Sequence, residues 1–424
     1  MNEKDDVSDT RLRATAETGA SGVLAGAKIV LGVAGGIAAY KAADLCSSLV
    51  QLGARVDVVM TAGALRFLQP SVFNAITRRP VHTSAWEDWT PAAAGHVTIA
   101  HEAEALLVAP ATANTIARLA LGLADDLLGT VALASRAPLL LAPAMEHNMC
   151  HHPATQTHLQ TLRSRGAVVV GPGTGHLASG MVGDGRLAPV EQIVGALRMV
   201  LGRSGPLAGT RVVVTAGPTH EPLDPVRFLG NRSSGRMGFA VAQLLIDRGA
   251  AVHLIAGPTT LTPPYGTVVT EIQTALEMQE ATSAAVAGAD ALIMAAAVAD
   301  FRPAEPETHK IKKRPGQERL DLRLVRTPDI LATIDHPGLL KIGFAAETDN
   351  LVANAEAKLH AKGLAMIVAN DATGTIGSER STATILGRDR APRALPDMTK
   401  DELASVIADE LVALLSRRRE SPAG

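Results

Sequence analysis

Only two cysteines, Cys46 and Cys150, occur in 424 residues. That count excludes a disulfide framework and fits a reducing compartment, so a cytoplasmic location is expected. Aromatic side chains make up 2% of the chain, too few for the stacking platforms that hold single-stranded nucleic acid. Net charge is −2, with 40 basic against 42 acidic residues, which leaves no overall electrostatic footprint for a polyanion. No uninterrupted apolar run is long enough to cross a bilayer. The polar, mixed-charge start of the chain lacks the apolar segment of a secretory signal. Neither nucleic acid nor membrane is therefore expected as a partner. Core-forming residues are plentiful: 47% of the chain is hydrophobic and 19% charged. The length exceeds what one core usually serves, so two domains are expected.

The apolar pattern gives their boundaries. Residues 1–26 lack periodicity and read as a flexible extension. From Ala27 an alternation begins: strand 28–33, the turn Gly35-Gly36, helix 37–52 and strand 55–60. It continues with strands at 105–109, 139–142 and 168–170, and helices at 112–121, 153–165 and 191–201. The glycine-rich stretch 171–185 reads as a long loop of the kind that forms lids. A turn-forming cluster at 203–209 reads as a linker between a first domain, 27–202, and a second, 210–418, with 419–424 as a tail. The second domain repeats the rhythm: strands at 211–215, 252–255, 291–294, 342–344, 366–369 and 383–386, helices at 238–248, 271–287, 350–362 and 400–417. Strand–turn–helix alternation twice over predicts an α/β fold of two doubly wound Rossmann/flavodoxin-like domains in series.

Ligands of such sheets bind beyond the carboxyl ends of the strands, which puts Gly35, Gly36 and Thr61 on a crevice. The glycine spacing is not G-x-G-x-x-G, and Thr61 stands where a ribose-binding acid would close the second strand. A mononucleotide with one phosphate fits better than a dinucleotide. His96, after a glycine and ahead of a short helical pattern, has the chemistry of a general base. The run from Glu146 to His152 is rich in histidine, but no pair in it has the spacing of a structural zinc site. It reads as a loop recognising a substrate carboxylate, and no metal site is expected. In the second half, Gly230-Asn231-Arg232-Ser233-Ser234-Gly235-Arg236-Met237-Gly238 lies between a strand and a helix start and reads as an anion-binding loop.

Several linked motifs make the chain resemble a known family. In the first half these are Gly32-Val33-Ala34-Gly35-Gly36-Ile37, Gly95-His96, Ala109-Pro110-Ala111-Thr112-Ala113-Asn114 and Pro143-Ala144-Met145. In the second they are Thr215-Ala216-Gly217-Pro218-Thr219, Asp224-Pro225-Val226-Arg227, the loop just quoted, Ala297-Val298-Ala299-Asp300, Lys310-Ile311-Lys312-Lys313, Gly343-Phe344-Ala345-Ala346-Glu347-Thr348 and Ala369-Asn370-Asp371. The first half resembles the flavin-dependent cysteine decarboxylases and the second resembles phosphopantothenate–cysteine ligase. In that order they resemble the bacterial bifunctional enzymes of coenzyme A biosynthesis.

The resemblance implies FMN held by Gly35, Gly36, Thr61, Ala109, Pro110, Ala111, Thr112, Ala144 and Met145, with His96 as active-site histidine. A flavin suits the chemistry, because it can take up and return the electrons that make loss of carbon dioxide feasible. Two positions depart from the family. Glu146 stands where an asparagine should meet the substrate, with Asn148 two residues on as a substitute. Ser179 stands where the lid carries a proton-donating cysteine, and a hydroxyl is far less acidic than a thiol. These departures leave open a ligase with an impaired or structural flavin domain, or a flavin-binding regulatory scaffold. For the ligase the resemblance implies CTP, Mg²⁺ accompanying the triphosphate, and an acyl-cytidylate formed on 4'-phosphopantothenate before the amine of L-cysteine attacks. Lys310 and Asn231 match its catalytic residues; Ser233, Ser234, Gly235, Asp300, Lys310, Phe344, Lys358 and Lys362 match its nucleotide site. Family members form homo-oligomers with trimeric decarboxylase and dimeric ligase contacts, often dodecamers.

Overall fold

The computed structural model describes residues 22–86, 95–312, 318–347, 349–371, 378–388 and 390–420. The chain divides into two compact units, Met1–Leu201 and Gly202–Gly424.

The sheet of the first unit is built from β1 (Lys28–Val33), β2 (Arg55–Met60), β3 (Val81–His82), β4 (Ala105–Ala111), β5 (Leu139–Pro143) and β6 (Val168–Val169). Its order is β3-β2-β1-β4-β5-β6 and every pairing is parallel. β4 is buried along its whole length, as expected of a strand covered on both faces, which is why its sequence shows no polar alternation. The covering helices are α1 (Lys41–Gln51), α2 (Pro70–Thr77), α3 (Gly95–Glu102), α4 (Ala113–Leu121), α5 (Leu127–Ala134), α6 (His147–His151), α7 (Pro153–Ser164) and α8 (Val190–Gly202). On one face Val30, Val59, Leu106, Val108 and Leu141 meet Ile116, Leu128 and Val131 in a continuous core. Each such side chain contributes about 1.5–3 kcal/mol on burial.

Two expectations are corrected in this unit. Leu24, assigned to the extension, is buried at the entrance to β1, and Ala27 accepts a hydrogen bond from the Arg55 amide. The stretch 171–185 contains a β-hairpin rather than an irregular loop: β7 (Gly173–His176) pairs antiparallel with β8 (Val182–Arg186). Glycine has low strand propensity, and the sequence carries too few apolar residues there to signal the ladder.

The second unit has an eight-stranded sheet in the order β13-β12-β9-β14-β17-β18-β20-β21. In chain order its elements are β9 (Arg211–Ala216), β10 (His220–Pro222), β11 (Phe228–Gly230), α9 (Arg236–Asp247), β12 (Ala251–Ala256), β13 (Val268–Glu271), α10 (Ala275–Ala285), β14 (Ala291–Met294), β15 (Phe301–Pro303) and β16 (Leu324–Arg326). Then come α11 (Ile330–Thr333), β17 (Leu340–Glu347), α12 (Leu351–Ala361), β18 (Met366–Asp371), β19 (Arg380–Ser381), β20 (Ala383–Gly387), β21 (Arg390–Ala394), β22 (Met398–Thr399) and α13 (Lys400–Glu420). The six strands from β13 to β18 run parallel, and β20 and β21 extend the sheet antiparallel. Both units are thus doubly wound α/β folds.

The residues expected to be a linker pack onto this unit: Leu207 is buried and its amide bonds to the Arg248 carbonyl. The helix expected from Glu271 starts at Ala275 instead. Glu271 closes β13, and Thr274 with Glu277 forms a reciprocal capping box that sets the helix start. At the sheet edge β21 carries a register irregularity, and its Arg390 and Arg393 both reach the buried Glu410 of α13, at 2.6 and 3.1 Å.

Candidate functional site

In the first unit the strand order reverses between β1 and β4, and the loops leaving β1, β2, β4 and β5 converge there. The backbones of the first two loops touch. A Cβ placed on Gly35 would lie 2.3 Å from the Gly63 carbonyl carbon. Thr61 closes β2: its amide donates to the Val33 carbonyl at 3.1 Å, and its hydroxyl accepts from the Ala64 amide at 3.3 Å. Thr112 is the N-cap of α4, its hydroxyl accepting from the Thr115 amide at 3.3 Å. The Ala34 amide donates to Pro110 at 3.3 Å and the Ala144 amide to Ala111 at 3.0 Å, which ties the β1, β4 and β5 ends together. Gly36 faces the Thr112 methyl group. The loops that carry the expected cofactor residues therefore meet at one set of strand ends. Bare glycine backbone at Gly35 and Gly36, and a threonine rather than an acid after β2, suit a nucleotide with a single phosphate. His96 is half-buried in the first turn of α3.

Glu146 has a local partner. It is the N-cap of α6, and its carboxylate accepts from the amides of Asn148 at 2.8 Å and Met149 at 3.3 Å. Both amides fall on one carboxylate oxygen, Oε2, and the residue is half-buried. Asn148 is exposed, its side-chain amide 3.4 Å from the other Glu146 oxygen. The loop expected to bind a carboxylate is thus a short capped helix. Ser179 is exposed in the turn of the β7–β8 hairpin. The Met145 amide donates to the Gly185 carbonyl at 2.9 Å, so that hairpin is fastened to the β5 end. Neither cysteine is poised for acid–base work. Burial pushes the Cys46 thiol up to about 12. Burial and then the Asp184 charge also raise Cys150.

The second unit holds a cavity of about 1120 Å³ at the corresponding switch point, between β9 and β14. Asn231, Ser233, Ser234, Gly235, Asp300, Phe344, Lys358 and Lys362 all line it. Gly235 has φ of 77° and directly precedes α9. A Cβ there would sit 3.3 Å from the Gly217 backbone, so glycine serves both the left-handed turn and the close approach. The Asn231 side-chain amide donates to the Val298 carbonyl at 2.9 Å, which fixes its orientation at the β14 end. That end is laced to the β9 end: the Thr215 hydroxyl accepts from the Ala296 amide and the Thr219 hydroxyl from the Ala299 amide, at 3.2 and 3.0 Å.

Lys310 is not among the cavity-lining residues; it is exposed on the segment that follows β15. What positions that segment is Asp224. Its carboxylate accepts from the Ile311 amide at 3.1 Å and pairs with Arg227 at 2.6 Å, and Arg227 in turn donates to the Ile311 carbonyl at 2.6 Å. Burial opposes ionisation of Asp224, but the amides of Val226 and Ile311 and the Arg227 side chain outweigh it and hold the carboxyl well below the usual range. Lys313 and Arg314 of the same basic run lie outside the described residues.

Some lining residues carried no signal in the sequence. Thr327, Pro328 and Asp329 line the cavity from the loop before α11, and Asp329 both caps that helix and pairs with Lys362 at 2.9 Å. Ser381 and Lys400 line it as well, as does Asn370 of the motif Ala369-Asn370-Asp371. The Asp329 side chain is the N-cap of a four-residue helix, too short to leave a periodic pattern.

Residues 19–202 match the family described as Flavoprotein, and residues 207–415 match the DNA/pantothenate metabolism flavoprotein C-terminal domain. The chain is 42% identical over 400 residues to the coenzyme A biosynthesis bifunctional protein CoaBC of Bacillus subtilis (strain 168), covering 92% of this chain and 98% of that protein. The chain belongs to the CoaBC family. Two further CoaBC proteins are similar over the same extent: that of Vibrio cholerae at 42% identity, covering 91% of this chain and 97% of its own length, and that of Mycolicibacterium smegmatis at 42%, covering 92% and 98%. CoaBC similarity therefore reaches both switch-point sites. Among the described residues no helix is long and apolar enough to cross a membrane.

Proposed function

We propose that the second unit joins 4'-phosphopantothenate to L-cysteine at the expense of CTP, and that the first removes carbon dioxide from the resulting 4'-phosphopantothenoylcysteine to give 4'-phosphopantetheine. The chain is a bifunctional enzyme of coenzyme A biosynthesis, with an FMN-dependent decarboxylase and a ligase. The observation that best supports the finer reading is the second-unit cavity, which collects a helix start, three lysines (Lys358, Lys362 and Lys400), Asp300 and Asn231 at one switch point.

Each group has a chemical task in this reading. The amides of the Ser233–Gly235 turn and the start of α9 bind triphosphate oxygens. Asp300 accepts from the cytosine amino group, and Phe344 packs beside the base. Lys358 and Lys362 neutralise phosphate charge, and Lys310 brings a further cation from the segment held by Asp224. Mg²⁺ enters with the nucleotide, whose oxygens supply most of its ligands. Asn231 holds the acyl-cytidylate for attack by the amine. In the first unit His96, Asn148 and Ser179 serve the decarboxylation, and bound FMN supplies the electron sink. Glu146 acts as the cap of α6, with its carboxylate turned to the amides of Asn148 and Met149. A cytoplasmic homo-oligomer with trimeric decarboxylase and dimeric ligase contacts, up to a dodecamer, completes the proposal.

The purified protein should be yellow and should make 4'-phosphopantetheine from 4'-phosphopantothenate, L-cysteine, CTP and Mg²⁺. Accumulation of 4'-phosphopantothenoylcysteine with no decarboxylated product would refute the first-unit assignment. Absence of CTP turnover would refute the second.

Asp224→Asn should lower ligase turnover about tenfold, a cost of about 1.4 kcal/mol in the barrier, while decarboxylation of supplied 4'-phosphopantothenoylcysteine is unchanged. The pH sign follows from the depressed carboxyl. Its stabilising contribution is present above the unfolded carboxylate value and is lost only as pH falls through the lowered folded one. Wild-type ligase rates in this variant would show that Lys310 does not depend on the Asp224 clamp.

A further inference from the structure

We propose that His147, His151 and Asp184 form a binding site for one divalent ion of the zinc class, and that this ion fastens the β7–β8 hairpin to α6. The two histidines are one turn apart on α6 and so share a face, the i, i+4 arrangement that recurs in helical metal sites. Their rings lie 4.5 Å apart, tilted by 53°. Asp184 comes from β8, and its Oδ2 is 3.1 Å from His151 Nε2. One ligand atom from each of the three residues lies within 4.8 Å of the others. Tetrahedral coordination with bonds of about 2.0–2.1 Å places ligand atoms roughly 3.4 Å apart; the His151–Asp184 pair, at 3.1 Å, is close to that separation, and ligation would draw the other pairs, now within 4.8 Å, towards it.

Three details favour a built site. The other Asp184 oxygen accepts from the Thr174 hydroxyl at 2.6 Å, the outer hydrogen bond that orients a ligating carboxylate. A Cβ on Gly183 would lie 2.7 Å from His147 Nδ1, so the imidazole rests on bare backbone that no other residue would leave open. The donor set of two imidazoles and one carboxylate suits zinc, cobalt or nickel, and is too poor in oxygen for calcium or magnesium. His147 Nδ1 now accepts from the Asp184 amide at 3.2 Å, and ligation through that nitrogen exchanges a long hydrogen bond for a metal bond. His151 is exposed, which leaves a coordination position for water. No metal-type spacing is read in this run from sequence alone, but once it folds as α6 the pair His147 and His151, four residues apart, has one; the third ligand, Asp184, stands 33 residues beyond His151 and reaches it only through the hairpin. The ion would hold the hairpin, and Ser179 at its turn, in a fixed place beside the β5 end.

The test uses untagged, FMN-loaded protein freed of metal and titrated with zinc chloride by calorimetry. Wild type should bind one equivalent per chain. His151→Ala and Asp184→Asn should each bind about tenfold more weakly or worse, with the flavin spectrum intact as a check on folding. Cobalt(II) should give the visible absorption of a low-coordinate site in wild type alone, and zinc should slow amide exchange over residues 173–186 only there. Equal binding by wild type and both variants, or no stoichiometric binding by wild type, overturns the proposal.

Discussion

Gly35→Ala is expected to yield a folded chain that no longer retains its flavin. The added Cβ would fall 2.3 Å from the Gly63 carbonyl carbon and 2.6 Å from that residue's Cα and oxygen. All three are backbone atoms, so no side-chain rotation relieves the overlap. The β1 and β2 loops must separate, at a cost of about 1–3 kcal/mol, and they form one wall of the proposed FMN crevice. A shift of this size at the wall should weaken flavin binding about a hundredfold or more. Gly36→Ala is the informative companion: its Cβ meets only the Thr112 methyl group, at 3.4 Å, so its loss should be much smaller. The ratio of flavin to protein absorbance after gel filtration reads both. Ligase activity, which belongs to the second unit, should survive in each. A full complement of flavin in Gly35→Ala would remove this loop from the cofactor site.

Asn231→Asp should abolish amide formation while leaving the chain folded and yellow. The asparagine amide donates to the Val298 carbonyl, and an ionised aspartate has no proton to donate there. The substitution thus sets a carboxylate against a carbonyl oxygen, in a cavity proposed to receive a triphosphate. Loss of one positioned donor in such a site typically costs about 10²–10³ in turnover. The stage of failure is informative. If Asn231 holds the acyl-cytidylate for attack, pyrophosphate release should persist for about one turnover while amide product is missing. Wild-type rates of both would take Asn231 out of the mechanism.

Much of this architecture is written in local pattern. Runs without an internal polar residue, such as 29–33 and 105–109, gave the central strands, and glycine or proline at their ends gave the switch-point loops. Elements with weak periodicity escaped. α5, Leu-Leu-Gly-Thr-Val-Ala-Leu-Ala, is apolar on every side and so has no face to detect. The hairpin at 173–186 is too rich in glycine, and the two-residue β3 too short. At the sites, residues on strand ends and helix starts were legible because topology dictates where those ends meet. Partnerships across long separations were not: Asp329 meeting Lys362 and Asp224 pinning Ile311 depend on how loops fold back. Glu146 capping its own helix is local, but that helix has five residues and leaves no periodic pattern. The exposed position of Lys310 is of the same kind, because charge composition says nothing about which side of a loop faces a cavity.

The outer strand of the second sheet also bears on how copies of this chain can meet. β21 carries Pro392, which has no amide proton to offer, and its register shifts against β20. Arg390 and Arg393 are tied to Glu410, so charge lines the rim. A second chain seeking to add a strand there would meet a broken ladder and two committed guanidinium groups. Side-chain packing, rather than a sheet continued from one subunit into the next, is the mode of association this rim permits.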